Sequence, residues 1–208
     1  MKNLTLTVTI ALMLMATFSS CKKDAEVLDP TPVVLSQQEK DDLTVLREEE
    51  KLARDVYLYS YDKYGTSIFN NIASSEQKHM DKILTLLVKY NLPDIASTQR
   101  GVFNNTMLQT LYNDLTTQAD ISLVEAFTVG AIVEDLDIKD IEDFIGRTSV
   151  PDILDAYDKL SCGSRNHMRS YTKELTANGV TYTPQSISPA DYAAILANAN
   201  EKCGKTKM

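Results

Sequence analysis

The sequence lacks the residues and patterns that several classes of protein require. Lys and Arg total 21 against 29 Asp and Glu, and this acidic balance argues against binding to nucleic acid. The three cysteines form no C-x-x-C pair, which excludes an internal electron-delivering metal site built on such pairs. No segment shows the sustained alternation of β-strands, and no repeat is evident. What is left is an acidic chain of helical segments.

The N-terminal segment has the features of a secretory signal. One basic residue, Lys2, precedes an apolar run up to Phe18 that is too short for a membrane span, and small residues lead to Cys21. The ending FSSC resembles a bacterial lipobox, in which the cysteine is lipidated and becomes the first residue of the mature protein. The alternative is an ordinary signal cleaved near Ser20, with Cys21 incidental. We expect an exported lipoprotein, anchored to a membrane through Cys21 and facing the periplasm or the cell surface.

After the predicted signal peptide at residues 1–20, the chain divides into a linker, a domain and a tail. Residues 21–35 are polar, contain two prolines and indicate a flexible linker. Residues 36–200 have helical periodicity and predict one helical domain, followed by a tail at 201–208. Capping and stop signals predict an all-α bundle of four long helices with short additional helices. The predicted helices run over about residues 36–65, 67–91, 106–118, 122–146, 151–178 and from 188 onward.

The second long helix carries a carboxylate and an imidazole on its apolar face. Glu76 and His79 are three residues apart, so they lie on the same side of a helix. That side also carries Ile72, Ile83 and Leu87. Polar groups on a buried face need partners, and an inward-facing Glu-x-x-His pair is a ligand arrangement of carboxylate-bridged di-iron proteins. The pair indicates a metal site if other helices supply matching groups.

Each of the other long helices places a polar group where an apolar one is expected. In helix one Glu50 is a candidate ligand, and Glu48 and Glu49 in the same charged run compete with it. Helix three offers Glu134, and helix four offers His167, the second of two histidines in the chain. Taken alone, a glutamate in a run such as REEEK is usually solvated, and a lone histidine is more often hydrogen-bonded in the core. Burying three carboxylates together costs on the order of several kcal/mol each unless a cation compensates them, so a metal ion is the better joint explanation.

Short segments of the chain resemble known ferritin-like proteins. Rubrerythrin-type proteins have helices similar to EKLARDVY, SEQKHM and VGAIVEDLD, and this similarity selects Glu50 over its neighbours. The chain also resembles a bacterial family of ferritin-like domains (domain of unknown function 2202) in REEEKLARDVY, SEQKHMD, VEDLDI and GSRNHMRSY. The resemblance implies a ferritin-like four-helix bundle that holds iron, as a di-iron site, or manganese. The implied ligands are Glu50, Glu76, His79, Glu134 and His167.

One position departs from the ferritin-like pattern. The fourth helix of that pattern carries Glu-x-x-His, but here Ser164 stands three residues before His167. Asp137, three residues after Glu134, is a candidate sixth ligand that would supply the missing carboxylate. The alternative is that the segment LDIKDIEDF restarts a helix with Asp137 as its N-cap. A mononuclear site, or a weakly held second metal, is the alternative to a di-iron site.

Two functions fit this predicted site. The first is a metal-dependent oxidoreductase that reacts with peroxide or dioxygen and receives electrons from an external donor. The second is a non-catalytic cell-envelope lipoprotein that uses its bundle to bind metal or a partner. A second copy of the chain, in a homodimer, is one candidate partner. Export also favours a disulfide between Cys162 and Cys203.

The lipid anchor gives the first prediction. Replacing Cys21 with alanine removes the thiol that would carry the lipid, so the variant should leave the membrane fraction when lysed cells are centrifuged. The wild-type protein, which should sediment with the membranes, is the control. A variant that still sediments as fully as the wild type would show that the anchor lies elsewhere.

Overall fold

Four long and two short helices make up the part of the protein that the computed structural model describes, residues 33–204. The predicted all-α helical bundle is confirmed, and no strand occurs between residues 33 and 204. The predicted signal peptide, Cys21, the linker up to residue 32 and the tail from residue 205 lie outside the described residues. The helices are α1 (Gln37–Tyr64), α2 (Ser67–Lys89), α3 (Thr106–Ala119), α4 (Leu123–Ile145), α5 (Pro151–Ala177) and α6 (Pro189–Ala197).

Local signals in the sequence fix where the helices begin and end. Ser36 and Glu39 form a complete capping box at the start of α1, which satisfies backbone N–H groups that have no partner inside the helix. Gly65 ends α1 in the left-handed conformation at φ 65°, which glycine adopts without steric cost. At the start of α4 the hydroxyl of Ser122 accepts a hydrogen bond from the backbone N–H of Glu125 at 3.1 Å. These predicted caps therefore position the two helices as the sequence indicates.

One expectation about α4 is wrong. The helix continues without interruption from Leu123 to Ile145, so Asp137 lies inside it and does not act as the N-cap of a restarted helix.

Within residues 33–204, none of the helices combines the length and apolarity required to cross a membrane.

The apolar core is divided into two clusters by a layer of polar side chains. One cluster contains Phe69 and Tyr171, and the other contains Ile83 and Tyr157. Along each long helix the chain passes from one cluster to the other, and polar residues occupy the crossing. The polar layer consists mainly of Glu50, Glu76, His79, Glu134 and His167.

The charged run REEEK is buried rather than solvated, contrary to the usual behaviour of such runs. Glu48 accepts hydrogen bonds from the backbone N–H groups of Asn104 and Asn105, at 2.8 and 3.1 Å, just before α3 begins. Lys51 is fully buried and forms an ion pair with Asp55 at 2.5 Å. The loop before α3 thus covers this part of α1 and supplies polar partners for its charged side chains.

The C-terminal segment is fastened to α5 by a disulfide and by ion pairs. Cys162 and Cys203 are bonded, with Cα atoms 5.6 Å apart and a sequence separation of 41 residues. The carboxylate of Glu201 accepts hydrogen bonds from Arg165 at 2.5 Å and from Arg169 at 2.8 Å. On the chain-entropy model a disulfide that closes a loop of this length contributes roughly 3–4 kcal/mol to the free energy of unfolding.

Candidate metal centre

Five polar side chains from the four long helices meet in the middle of the bundle. Helix α1 contributes Glu50, α2 contributes Glu76 and His79, α4 contributes Glu134, and α5 contributes His167. The three glutamates are fully buried, with relative exposures of 0%. The five predicted ligands therefore lie together, with the glutamates shielded from solvent and the side chains of His79 and His167 12% and 11% exposed.

Glu76 lies at the centre of this cluster and contacts both imidazole rings. Its Oε2 atom is 2.6 Å from Nδ1 of His79, and its Oε1 atom is 2.7 Å from Nδ1 of His167. The two rings lie with their centroids 5.8 Å apart. One carboxylate thus faces two histidines, one with each oxygen.

The cluster consists of two groups of ligand atoms that share Glu76. One group is Glu50, Glu76 and His79, and the other is Glu76, Glu134 and His167. In each group the candidate ligand atoms all lie within 4.8 Å of one another. The outer carboxylates approach their histidines at 3.1 Å for Glu50 and 3.5 Å for Glu134, measured from oxygen to Nδ1. Each group therefore offers two carboxylates and one imidazole nitrogen.

Several of these atoms are buried without a hydrogen-bond partner. Among the described residues, this holds for Oε1 of Glu50, both carboxylate oxygens of Glu76, Oε2 of Glu134 and Nδ1 of His167. The contacts of Glu76 with the histidines fall within ion-pair distance, but none has the orientation of a hydrogen bond. Unpaired polar atoms in a dry core are costly, and their convergence suits a cation that all of them could coordinate.

The absence of a side chain at Gly163 makes room for the ring of His79. A Cβ atom on Gly163 would lie 2.6 Å from Cε1 and Nε2 of His79. Gly130 likewise leaves space for a tyrosine, because a Cβ atom at this position would come within 2.4 Å of the ring of Tyr171. Gly130 on α4 and Gly163 on α5 thus permit the close approach of aromatic rings from neighbouring helices.

Tyr57 positions Glu134 through a hydrogen bond. The phenol of Tyr57 donates a hydrogen bond to Oε1 of Glu134 at 2.6 Å. This leaves Oε2 of Glu134 directed toward the His167 side of the cluster. Tyr57 is fully buried, so its bond to Glu134 lies in a low-dielectric environment where hydrogen bonds are stronger than in water.

The remaining predicted positions lie near the cluster but outside the two groups. Ser164 is buried, and its hydroxyl donates a hydrogen bond to the carbonyl of Leu160 at 3.2 Å. This side chain therefore does not serve as a ligand in place of the glutamate of the ferritin-like pattern. Asp137 is 4% exposed and its Oδ2 atom has no hydrogen-bond partner within residues 33–204. Glu49, the competitor of Glu50, is also buried but belongs to neither group. Ligation by Asp137 stays a prediction.

Burial and mutual charge shift the pKa values of these groups strongly. Burial raises the pKa of Glu50 to about 7, although the neighbouring His79 acts in the opposite direction. Burial, together with the charges of Asp140 and other acids, raises the pKa of Glu49 to about 8. For Glu76, burial alone would raise the pKa, but the two adjacent histidines outweigh it and lower the pKa.

The neighbouring carboxylates raise the pKa values of both histidines. Burial alone would lower the pKa of His167, but the charges of Glu76 and Glu134 raise it to about 10. The pKa of His79 is likewise raised by Glu76 and Glu50 against the effect of burial. Without a metal ion, protons on the histidines compensate the buried carboxylates.

The fold and this cluster define an all-helical bundle with a buried carboxylate and imidazole centre. Residues 39–199 match the family described as an uncharacterized protein domain (DUF2202), and the chain belongs to that family. The chain is 48% identical over 169 residues to the uncharacterized protein MJ0754 of the archaeal Methanocaldococcus jannaschii, covering 81% of this chain and 91% of that protein. The predicted membership of a family of unknown function is confirmed.

The fold is also similar to a solved structure. The crystal structure of hypothetical protein MJ0754 from Methanococcus jannaschii matches with a TM-score of 0.80 and 47% sequence identity. The match covers 82% of this chain and 98% of that one. The names of these relatives assign them no activity.

The shifted pKa values predict how the stability of the metal-free protein depends on pH. Glu49 and Glu50 titrate near 8 and 7 in the folded state, above the reference value of 4.5, so ionising them costs stability as pH rises from 4.5. His167 stabilises the fold below its reference pKa of 6.5 and loses that contribution as pH rises toward 10. The lowered pKa of Glu76 affects the free energy of unfolding only below pH 4.5, its reference value. The free energy of unfolding should therefore fall between about pH 5 and about pH 9.

Denaturant unfolding of chelator-treated protein at a series of pH values measures this dependence. The variant Glu49→Gln, which removes one of the titrating groups, should show a shallower decline than the wild type. A free energy of unfolding that stays level or rises over this pH range would contradict the assigned electrostatics of the buried cluster.

Proposed function

We propose that this protein binds a pair of metal ions, iron or iron with manganese, in the centre of its helical bundle. Glu50 and His79 would hold one ion, Glu134 and His167 would hold the other, and Glu76 would bridge them. The observation that carries the proposal is that the two oxygens of Glu76 face two different histidine nitrogens at 2.6 and 2.7 Å. Each oxygen of Glu76 could therefore bind the ion that its neighbouring histidine would hold.

Charge balance supports a pair of divalent ions. Three buried glutamates and the neighbouring Asp137 can carry four negative charges, which two divalent cations would neutralise. Within residues 33–204, no lysine or arginine forms an ion pair with any of these four carboxylates. In this proposal the metal ions replace the protons that the histidines otherwise hold.

The ligand types favour iron or manganese. All the candidate ligand atoms are carboxylate oxygens or imidazole nitrogens, which suit these metals. The nearest cysteine along α5, Cys162, is bonded to Cys203 and so offers no thiolate. Because Ser164 stands where the ferritin-like pattern has a glutamate, one side of the centre would have a coordination position free for a small molecule. Asp137 remains a candidate sixth ligand.

The protein residues would prepare this centre for redox chemistry with peroxide or dioxygen. Bound iron or manganese would supply the electrons for reducing the oxidant. Tyr57 would hold Glu134 in position through its hydrogen bond, and the surrounding apolar clusters would exclude bulk water. We further propose that the protein is exported and anchored through Cys21, and that an external donor restores the electrons. The alternative is a non-catalytic lipoprotein that only binds metal or a partner.

Metal analysis tests the binding proposal. Protein expressed without residues 1–20 and dialysed with Fe²⁺ under anaerobic conditions should retain about two ions per chain by mass spectrometry of its metals. Glu76→Gln removes the bridging charge and should reduce retention to at most one ion. Glu142→Gln, an exposed position on α4, is the control with the same change in charge and should retain as much as the wild type. Equal retention by Glu76→Gln and the wild type would contradict the proposed centre.

Peroxide consumption separates the catalytic from the non-catalytic function. The Fe²⁺-loaded protein should consume hydrogen peroxide faster than the same concentration of free Fe²⁺, because the centre fixes the metals and excludes competing ligands. His79→Ala should abolish this difference. A protein that retains iron but consumes neither peroxide nor dioxygen faster than free Fe²⁺ would leave metal binding as the function and would exclude the oxidoreductase.

A further inference from the structure

Tyr171 is a fully buried tyrosine whose hydroxyl has no partner. Its relative exposure is 0%, and its Oη atom forms no hydrogen bond within residues 33–204. A buried hydroxyl of this kind costs free energy, because nothing in the core replaces the hydrogen bonds that it would form with water. A phenylalanine would fill the same space without this cost. Packing alone therefore does not explain why the position carries a hydroxyl.

The contacts of the Tyr171 ring place it beside two candidate ligands. On α5, Tyr171 lies one turn after His167, so the two side chains share a face of the helix. The Cζ atom, which bears the hydroxyl, is 2.5 Å from the position that a Cβ atom on Gly130 would take. Gly130 lies one turn before Glu134 on the same face of α4. The phenol thus reaches from α5 to α4 on the Glu134 and His167 side of the centre.

Tyr57 of α1 reaches the same region. Its ring centroid is 5.4 Å from that of Tyr171. Its hydroxyl lies 2.6 Å from Oε1 of Glu134 and 3.5 Å from the carbonyl oxygen of Gly130. Because Cζ of Tyr171 also lies against Gly130, the hydroxyl ends of both tyrosines are close to the Glu134 carboxylate.

The other polar atoms in this region already have a role. Oε1 of Glu134 accepts the hydrogen bond from Tyr57. In the proposed function, Oε2 of Glu134 and Nδ1 of His167 would bind a metal ion. The hydroxyl of Tyr171 remains, and a phenol with a pKa near its ordinary value of about 10 keeps its proton at neutral pH. This side of the centre therefore has one hydrogen-bond donor that neither the fold nor the metal ligands use.

We propose that the hydroxyl of Tyr171 donates a hydrogen bond to the small molecule that binds in the centre, and that this molecule is peroxide. This inference rests on the proposed function. A hydrogen bond to a negatively charged acceptor is stronger than one between neutral groups, and a low-dielectric environment strengthens it further. Peroxide can ionise and accepts hydrogen bonds, whereas dioxygen is neutral and accepts them weakly. Tyr171 is then a binding residue that favours peroxide over dioxygen.

The first test concerns the stability of the metal-free protein. Tyr171→Phe keeps the ring and removes only the unpaired hydroxyl, so it should raise the midpoint temperature of thermal unfolding of chelator-treated protein. A midpoint that is unchanged or lower would show that the hydroxyl has a partner inside the core, such as the neighbouring phenol of Tyr57. That result would overturn the proposal.

The second test is the binding of azide to the Fe³⁺-loaded protein, followed by visible absorption. Azide serves as the probe because it is a small anion that accepts hydrogen bonds and forms coloured complexes with Fe³⁺. Tyr171→Phe should retain as much iron as the wild type but bind azide at least about tenfold more weakly, since it loses a hydrogen bond to a charged acceptor.

The selection of peroxide has its own measurement. In Tyr171→Phe loaded with Fe²⁺, the peroxide concentration that gives half-maximal consumption should rise about tenfold. The corresponding dioxygen concentration should change little. An equal rise for both oxidants would overturn the selection of peroxide.

Ser60→Ala is the matched control. Ser60 is also buried, at 1% exposed, and its hydroxyl likewise has no hydrogen-bond partner in the described part of the chain. It lies ten residues beyond Glu50 on α1, which places it about 15 Å further along the helix. Ser60→Ala should therefore also raise the unfolding midpoint, but it should bind azide as tightly as the wild type.

The possible failures are distinguishable. If the wild type retains iron but binds no azide, or if Tyr171→Phe binds azide as tightly as Ser60→Ala, the role of Tyr171 is overturned and the metal centre stands. If Tyr171→Phe loses iron, the tyrosine supports the centre itself, which also overturns the proposal. If the wild type retains neither iron nor manganese, the proposed function fails and the role of Tyr171 fails with it.

Discussion

The contact of one buried glutamate, Glu76, with two histidines constrains the whole core of this protein. Its oxygens face His79 and His167, which come from different helices, so α2 and α5 are held at a fixed separation. Glu50 and Glu134 complete the layer from α1 and α4. A polar layer of this kind costs free energy in a helical bundle, and the apolar clusters on either side of it must stabilise the fold against that cost.

The buried acidic side chains of this protein fall into two kinds, those with hydrogen-bond partners and those with unpaired oxygens. Away from the centre, buried acids have partners, as Asp135 does when it accepts hydrogen bonds from Tyr182 and from three backbone N–H groups. In the centre and beside it, carboxylate oxygens are buried without hydrogen-bond partners among the described residues. Since groups with strongly shifted pKa values and unsatisfied atoms concentrate at functional sites, this contrast directs attention to the centre and to Glu49 and Asp137.

Much of the fold follows from local sequence signals, and so do four of the five groups that meet in the centre. Glu50 could be separated from the two glutamates that precede it only by its resemblance to ferritin-like helices. Caps such as Ser36 and glycines such as Gly65 mark helix ends through contacts within a few residues, which a sequence displays directly. The burial of Glu48 could not be predicted in this way, because its partners lie 56 and 57 residues away in the loop before α3. The continuity of α4 through Asp137 depends on packing against other helices, which also overrides a local capping signal.

Anomalous X-ray diffraction would show whether two metal ions bind on either side of Glu76. Crystals of the protein soaked with Fe²⁺ or Mn²⁺, with data collected at the absorption edge of the soaked metal, would locate any bound ions. We predict two anomalous peaks on either side of the Glu76 carboxylate, one beside Glu50 and His79 and one beside Glu134 and His167. A single peak would contradict the paired site. Peaks confined to surface carboxylates, or none at all, would contradict metal binding in the core.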